Sequence, residues 1–160
     1  MAKSFGLAGL RLGWLACKRR DTLEKVLSFK DYLSICNNAA GEALSSIALR
    51  HKEKFITPNI AKIVKNQQLF GDFARKNSDL IGFHAPKAGS TALIELKTRL
   101  SAYEYSEKLV SETGIMLLPS EMFDYGSRHA RIGFGRENLP EVLSVLQDYI
   151  NRTPQLAKHK

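Results

Sequence analysis

From about residue 58 onward the hydrophobic pattern of this chain switches period, and that switch limits its possible folds more than any other feature. Thr57 before Pro58 reads as an N-cap followed by proline at the first helical position, and Ile60, Ile63, Val64, Phe70, Phe73 and Ala74 continue one apolar stripe at helical spacing. This is the longest predicted helix. Residues 80–83 and 91–97 then read as two short strands joined as a hairpin around a loop holding Pro86 and Gly89. Ser101 followed by Glu104 is a capping box that opens a helix running through Val110 and stopped by Gly114. Residues 115–118 form an apolar strand closed by Pro119, and residues 130–134 form another. Pro140 starts a last helix with Val142, Leu143, Leu146, Tyr149 and Ile150 on its core face. Helix, hairpin, helix, strand, strand, helix predicts a small sheet with helices on one face, an α+β domain over residues 58–152.

The first 57 residues do not share that plan. Residues 10–16 read as a strand after a glycine-punctuated loop, and Asp21 with Glu24 as a capping box for a helix with Leu23, Val26 and Leu27 on its apolar face, ending near Lys30. From Asn38 onward Ala40, Ala43, Leu44, Ile47 and Ala48 recur on one helical face of small volume, which predicts a buried helix. Trp14 is assigned to core packing. One strand and two helices are too few to close a core, so residues 1–57 must pack on the second region or on chain that lies elsewhere. Residues 153–160 read as a frayed basic tail.

Composition narrows the function classes. The chain has 160 residues, 44% of them apolar and 25% charged, which is near the globular average and argues against disorder. No run of about 18 apolar residues exists, and Arg11 and glycines interrupt the early apolar stretch, so neither a membrane span nor a signal peptide is predicted. The formal charge is +8, but the basic residues are scattered, the densest groups being Lys18 with Arg19 and Arg20, Arg50 with Lys52 and Lys54, and the tail. A nucleic-acid partner needs a stripe, and none is predicted. Cys17 and Cys36 form no C-x-x-C pair, and His51, His84, His129 and His159 have no metal-ligand spacing. The expectation is a cytoplasmic protein without a metal.

The stretch with chemical content is at the start: Lys3, Gly6, Gly9 and Arg11. Lys3 and Arg11 would be about 26 Å apart on a straight strand. Gly6 and Gly9 can turn the chain back, which lets them converge. An amine that forms a Schiff base and a guanidinium that grips phosphate oxygens suit a cofactor with an aldehyde at one end and a phosphate at the other, as pyridoxal 5′-phosphate has. Taken separately, the two are a solvated terminal lysine and a surface charge.

As a whole, Ala2, Lys3, Gly6, Leu7, Gly9, Arg11, Leu12 and Gly13 closely resemble the pyridoxal-phosphate attachment motif of the class I and II aminotransferases, of aspartate-aminotransferase-like fold. The resemblance implies that Lys3 is the Schiff-base lysine, which also moves the substrate α-proton, and that Arg11 is a phosphate ligand. Downstream, Arg131, Ile132, Gly133 and Phe134 resemble the family strand whose arginine holds the substrate α-carboxylate. Alternation agrees, since Arg131, Gly133 and Gly135 share one strand face and Ala130, Ile132 and Phe134 the other. Arg128, His129 and Arg136 read as rim charges.

The resemblance runs from Lys3 to about Ile150 and implies an α/β chain: residues 1–57 as the remainder of a large cofactor-binding domain, residues 58–152 as the C-terminal α+β small domain. It matches only the later part of a family member. The family's phosphate loop, the aromatic residue stacked on the ring and the aspartate that pairs with the ring nitrogen belong before the lysine motif. The expectation is therefore the C-terminal part of an aminotransferase, arising by truncation, a mis-started frame or a cut, with exposed apolar faces and poor solubility. By the same resemblance, the substrates are an L-amino acid and a 2-oxo acid, and the full-length protein is a homodimer. A non-catalytic interaction module and a non-transaminase enzyme of the same fold, such as a decarboxylase, cyclase or synthase, are the alternatives. Asn37, Asn38 and Tyr125 are weak candidates for a pocket wall.

Overall fold

The computed structural model describes residues 1–156, so part of the expected basic tail, Lys158 and Lys160 included, lies outside the described residues. The chain divides into two compact units, Met1–Ile60 and Ala61–Lys160, and the division falls within one long helix.

In the first unit, helices α1 (Arg20–Leu33), α2 (Ala39–Arg50) and the start of α3 (Lys52–Lys76) follow an N-terminal loop that holds a 3-10 turn, Ala8–Leu10. The strand expected over residues 10–16 does not form. A strand is held by ladder bonds to a neighbour, and the described residues offer these residues none. Trp14 accordingly stands 64% exposed instead of packing in a core. The Asp21 capping box is absent as well. Arg19 takes the N-cap position, and the Asp21 carboxylate inside the helix accepts from the Arg19 guanidinium at 2.6 and 3.2 Å. Helix α1 runs to Leu33 and buries no residue.

Helix α2 buries a face that shares only Ala48 with the one the apolar spacing indicates. Gly41, Ser45 and Ala48 turn inward, while Leu44 and Ile47 are exposed. Gly41 explains the choice: a Cβ there would lie 3.1 Å from Leu12 Cδ1 and 3.2 Å from the Leu10 carbonyl oxygen, so α2 approaches the N-terminal loop on its smallest side. Helix α3 starts at Lys52, with Pro58 inside it, and not at Thr57. Proline removes one helical bond, to the carbonyl four residues earlier. The Thr57 hydroxyl donates to Glu53 Oε2 at 3.2 Å within the turn that Pro58 interrupts.

The second unit is built on a four-stranded antiparallel sheet of β1 (Ile81–Phe83), β2 (Thr91–Leu96), β3 (Leu118–Pro119) and β4 (His129–Gly133), in the order β1-β2-β4-β3. The hairpin pairs Ile81 with Leu96 and Phe83 with Ile94, and β2 then pairs Leu93 with Arg131 and Ile94 with Ala130. Period-two alternation sends Ile94, Leu96, Ala130 and Ile132 to one face. There they join Phe70 and Phe73 of α3 and Leu109 of α4 (Ala102–Thr113). Leu143, Leu146 and Tyr149 of α5 (Leu139–Arg152) complete this core.

Helix α4 forms as its sequence indicates. The Ser101 hydroxyl accepts from the Glu104 amide at 3.1 Å, the Glu104 carboxylate accepts from the Ser101 amide at 2.8 Å, and Gly114 ends the helix at φ 73°. The strand expected over residues 115–118 is reduced to Leu118 and Pro119. The Ile115 amide donates to the Thr113 hydroxyl at 3.1 Å, a local bond in place of a ladder bond where the chain leaves α4.

Candidate functional site

Lys3 and Arg11 stand on the two arms of one small closed loop. The Met1 ammonium donates to the Leu12 carbonyl at 3.3 Å, and the Leu7 amide donates to the Met1 carbonyl at 3.4 Å, so the chain folds back within a dozen residues. Gly6 supplies one hinge at φ 69°, a left-handed conformation open to glycine at little cost. Gly9 is not the second hinge. It lies inside the 3-10 turn, and Arg11 itself takes the left-handed conformation, at φ 51°, closing the turn with its amide on the Ala8 carbonyl.

Both side chains are exposed. Arg11 uses one guanidinium N–H on the Ala8 carbonyl at 3.4 Å, and among the described residues neither it nor Lys3 has an ion-pair partner. Phe5 is buried and tilts against Phe55 with ring centroids 6.1 Å apart, which anchors the loop. The donor set is thus one primary amine and one open guanidinium fork on a glycine-hinged loop. In chemical type, a primary amine suits an aldehyde and a guanidinium suits a phosphate, the two ends of the cofactor expected from the sequence. An acidic partner for a pyridine nitrogen is not part of this loop.

In the second unit Arg131 stands on the solvent side of β4, opposite the buried row of Ala130, Ile132 and Phe134. It lines a cleft of about 600 Å³ together with Met116, Gly133 and Gly135. A Cβ at either glycine would meet nothing within 4 Å, so the floor beside the arginine is open. The neighbouring arginines differ from it. Arg128 is tied down, with its guanidinium donating to the Thr98 carbonyl at 2.6 Å, and it fixes the start of β4 and the approach to α4. Arg136 contributes its carbonyl to the fold and leaves its side chain exposed.

Two supports of this strand escaped the sequence reading. Asn66 is buried in the apolar stripe of α3 and donates both amide hydrogens, to the Phe134 carbonyl at 2.9 Å and the Arg136 carbonyl at 2.6 Å. A single polar residue within that stripe was the available signal. Phe123 lies under Arg131, with the guanidinium carbon 5.2 Å from the ring centroid. No local pattern indicates that contact, because it joins a turn to a strand. His129 has the Tyr125 ring edge-on at 5.3 Å and faces Glu95 across the ladder, which places Tyr125 near the Arg131 face. Asn37 donates to Glu42 Oε1 at 2.7 Å, a contact local to the start of α2.

Among the described residues no cluster of three His, Cys, Asp or Glu side chains could hold a metal ion, and no helix is long and apolar enough to cross a membrane. Cys17 and Cys36 are exposed and unpaired with each other.

Comparison with known proteins places these features in context. The family model described as aminotransferase class I and II matches residues 1–146. Capreomycidine synthase of Streptomyces vinaceus is 26% identical over 150 residues, covering 92% of this chain and 38% of the synthase. A PLP-dependent aminotransferase from Streptococcus suis superposes with a TM-score of 0.85 at 21% identity, over 98% of this chain and 41% of that one. Aspartate aminotransferase from Thermotoga maritima superposes at 0.78 and 20% identity, over 94% of this chain and 38% of that one. The chain therefore has the fold of the corresponding part of these proteins, and it spans about two fifths of their length.

Proposed function

The chain belongs to the class I and II aminotransferases, and from that premise we propose that it serves pyridoxal-phosphate-dependent transfer of an amino group between an L-amino acid and a 2-oxo acid. The observation that carries the reading is the hydrogen-bonded return of Met1 to Leu12, which sets Lys3 and Arg11 on one loop. Pyridoxal phosphate, when bound, would supply an aldehyde that can carry an amino group and a ring that can take up electron density. Arg11 would hold the phosphate oxygens with its guanidinium fork. The Lys3 amine would hold the aldehyde carbon and would also take the proton from the substrate α-carbon. Arg131 holds the α-carboxylate through two parallel hydrogen bonds, with Gly133 and Gly135 leaving room for the acid.

The reading includes a cytoplasmic setting and a homodimer, with neither nucleic acid nor membrane as partner. The test is turnover: the chain is incubated with pyridoxal phosphate, an L-amino acid and a 2-oxo acid, and the new amino acid is measured. Amino transfer abolished by Lys3→Ala supports the proposal. Amino transfer that survives Lys3→Ala counts against the role given to Lys3, and none by the unaltered chain counts against activity of this polypeptide.

A second reading keeps the cofactor and changes the outcome. It is favoured by the similarity to a synthase. Product analysis separates the two, since a synthase-type reaction consumes the amino acid without forming a new amino acid from the oxo acid.

A further inference from the structure

Arg131 is exposed, and among the described residues no ion pair or hydrogen bond holds its guanidinium. A long side chain free to rotate loses that freedom when it grips a ligand, and the lost entropy weakens binding. The group that limits it is an aromatic ring. We propose that Phe123 is a positioning residue that stacks Arg131 in the orientation needed to receive a carboxylate. This rests on the reading of Arg131 as the carboxylate ligand.

The geometry suits that role because a guanidinium carries its N–H donors in its plane. Stacking uses the face of the group and leaves the donor edge for an acid. Phe123 is 43% exposed and is not part of the hydrophobic core of this unit, so packing alone does not explain a phenyl ring at this position. The turn that carries it is tied at both ends. The fully buried Ser120 hydroxyl donates to the Gly126 carbonyl at 2.8 Å and accepts from the His129 amide at 3.1 Å, which ties the turn to the strand that bears Arg131. Glu121 Oε1 accepts from the Tyr103 amide at 3.1 Å, which ties the turn to α4. Asp124 at φ 54° and Gly126 at φ 66° bend the backbone between these ties.

The test follows the Arg131 side-chain Nε–H signal by NMR in the full chain while acetate, as carboxylate probe, is titrated at constant ionic strength. Saturable binding is expected. Phe123→Leu, which keeps an apolar side chain and removes the ring, is expected to weaken it about two- to fivefold and shift the resting Arg131 signal, and Phe123→Trp to restore it. A saturable response in the unaltered chain that is indifferent to Phe123→Leu overturns the positioning role alone. A flat response in the unaltered chain overturns that role together with the carboxylate reading of Arg131. Unchanged amide spectra away from residues 120–126 in the Leu variant establish that its fold is intact.

Discussion

Asn66 in α3 spans 68 residues of sequence to donate a 2.9 Å hydrogen bond to the Phe134 carbonyl, and it gives its other hydrogen to the Arg136 carbonyl. One buried amide therefore fixes the backbone just beyond β4, the strand that carries Arg131. Replacement by leucine keeps the volume and leaves both carbonyls without that donor. The expected cost is about 1–3 kcal/mol, read as a lower denaturation midpoint. Amide exchange is expected to accelerate around Phe134.

The capping box of α4 should be visible in pH dependence. Hydrogen bonds from the Ser101 backbone amide, and then from its side chain, hold the Glu104 carboxyl below the usual glutamate range. A carboxyl lowered by folding contributes stability that is fully present above its unfolded value, and loses it as pH falls through the lower folded value. Glu104→Gln is therefore expected to flatten the acid limb of stability below about pH 4.5. Ser101→Ala is expected to cost about 1 kcal/mol at neutral pH. An acid limb identical in the Gln variant contradicts the assignment.

Tyr149 makes the opposite prediction. Its hydroxyl is buried without a hydrogen-bond partner, its ring meets Tyr105 edge-on at 6.1 Å, and burial raises its pKa. Tyr149→Phe keeps the ring contact and removes the unsatisfied group. The expected result is an equal or higher melting temperature, by up to about 1 kcal/mol of stability. A clear loss of stability would reveal a partner for the hydroxyl.

Gly6 carries the hinge of the N-terminal loop at φ 69°. Gly6→Ala meets open space, the nearest contact being the Asn59 side chain at 3.8 Å, so the strain arises from the backbone. The left-handed conformation costs an alanine about 1–2 kcal/mol. Calorimetry of the variant is expected to show that loss, and pyridoxal phosphate is expected to bind it more weakly than the unaltered chain.

What could be read from the sequence divides along physical lines. Helix α4 was legible at both ends because Ser101, Glu104 and Gly114 determine it through bonds only a few residues apart. The hairpin and the alternation around Arg131 were legible because the second unit supplies the partners that period-two patterns require. Residues 10–16 have strand-like composition, but the described residues offer them no ladder and Trp14 no covering layer, so local propensity misled there. The buried face of α2 was misread because Gly41, which contributes nothing to an apolar pattern, decides which side can approach the loop. The supports of Arg131 are contacts between distant segments. Asn66 left a trace as a polar residue in an apolar stripe, and Phe123 left none.

Lys3 is the residue proposed to hold the cofactor. The direct measurement is borohydride reduction of the chain with pyridoxal phosphate, followed by peptide mass spectrometry. The prediction is that the pyridoxyl mass accumulates on the peptide containing Lys3 at cofactor levels that leave the other lysines unlabelled, and that Arg11→Ala raises the concentration required. Labelling spread evenly over the exposed lysines, with the Lys3 peptide no richer than the rest, would contradict it.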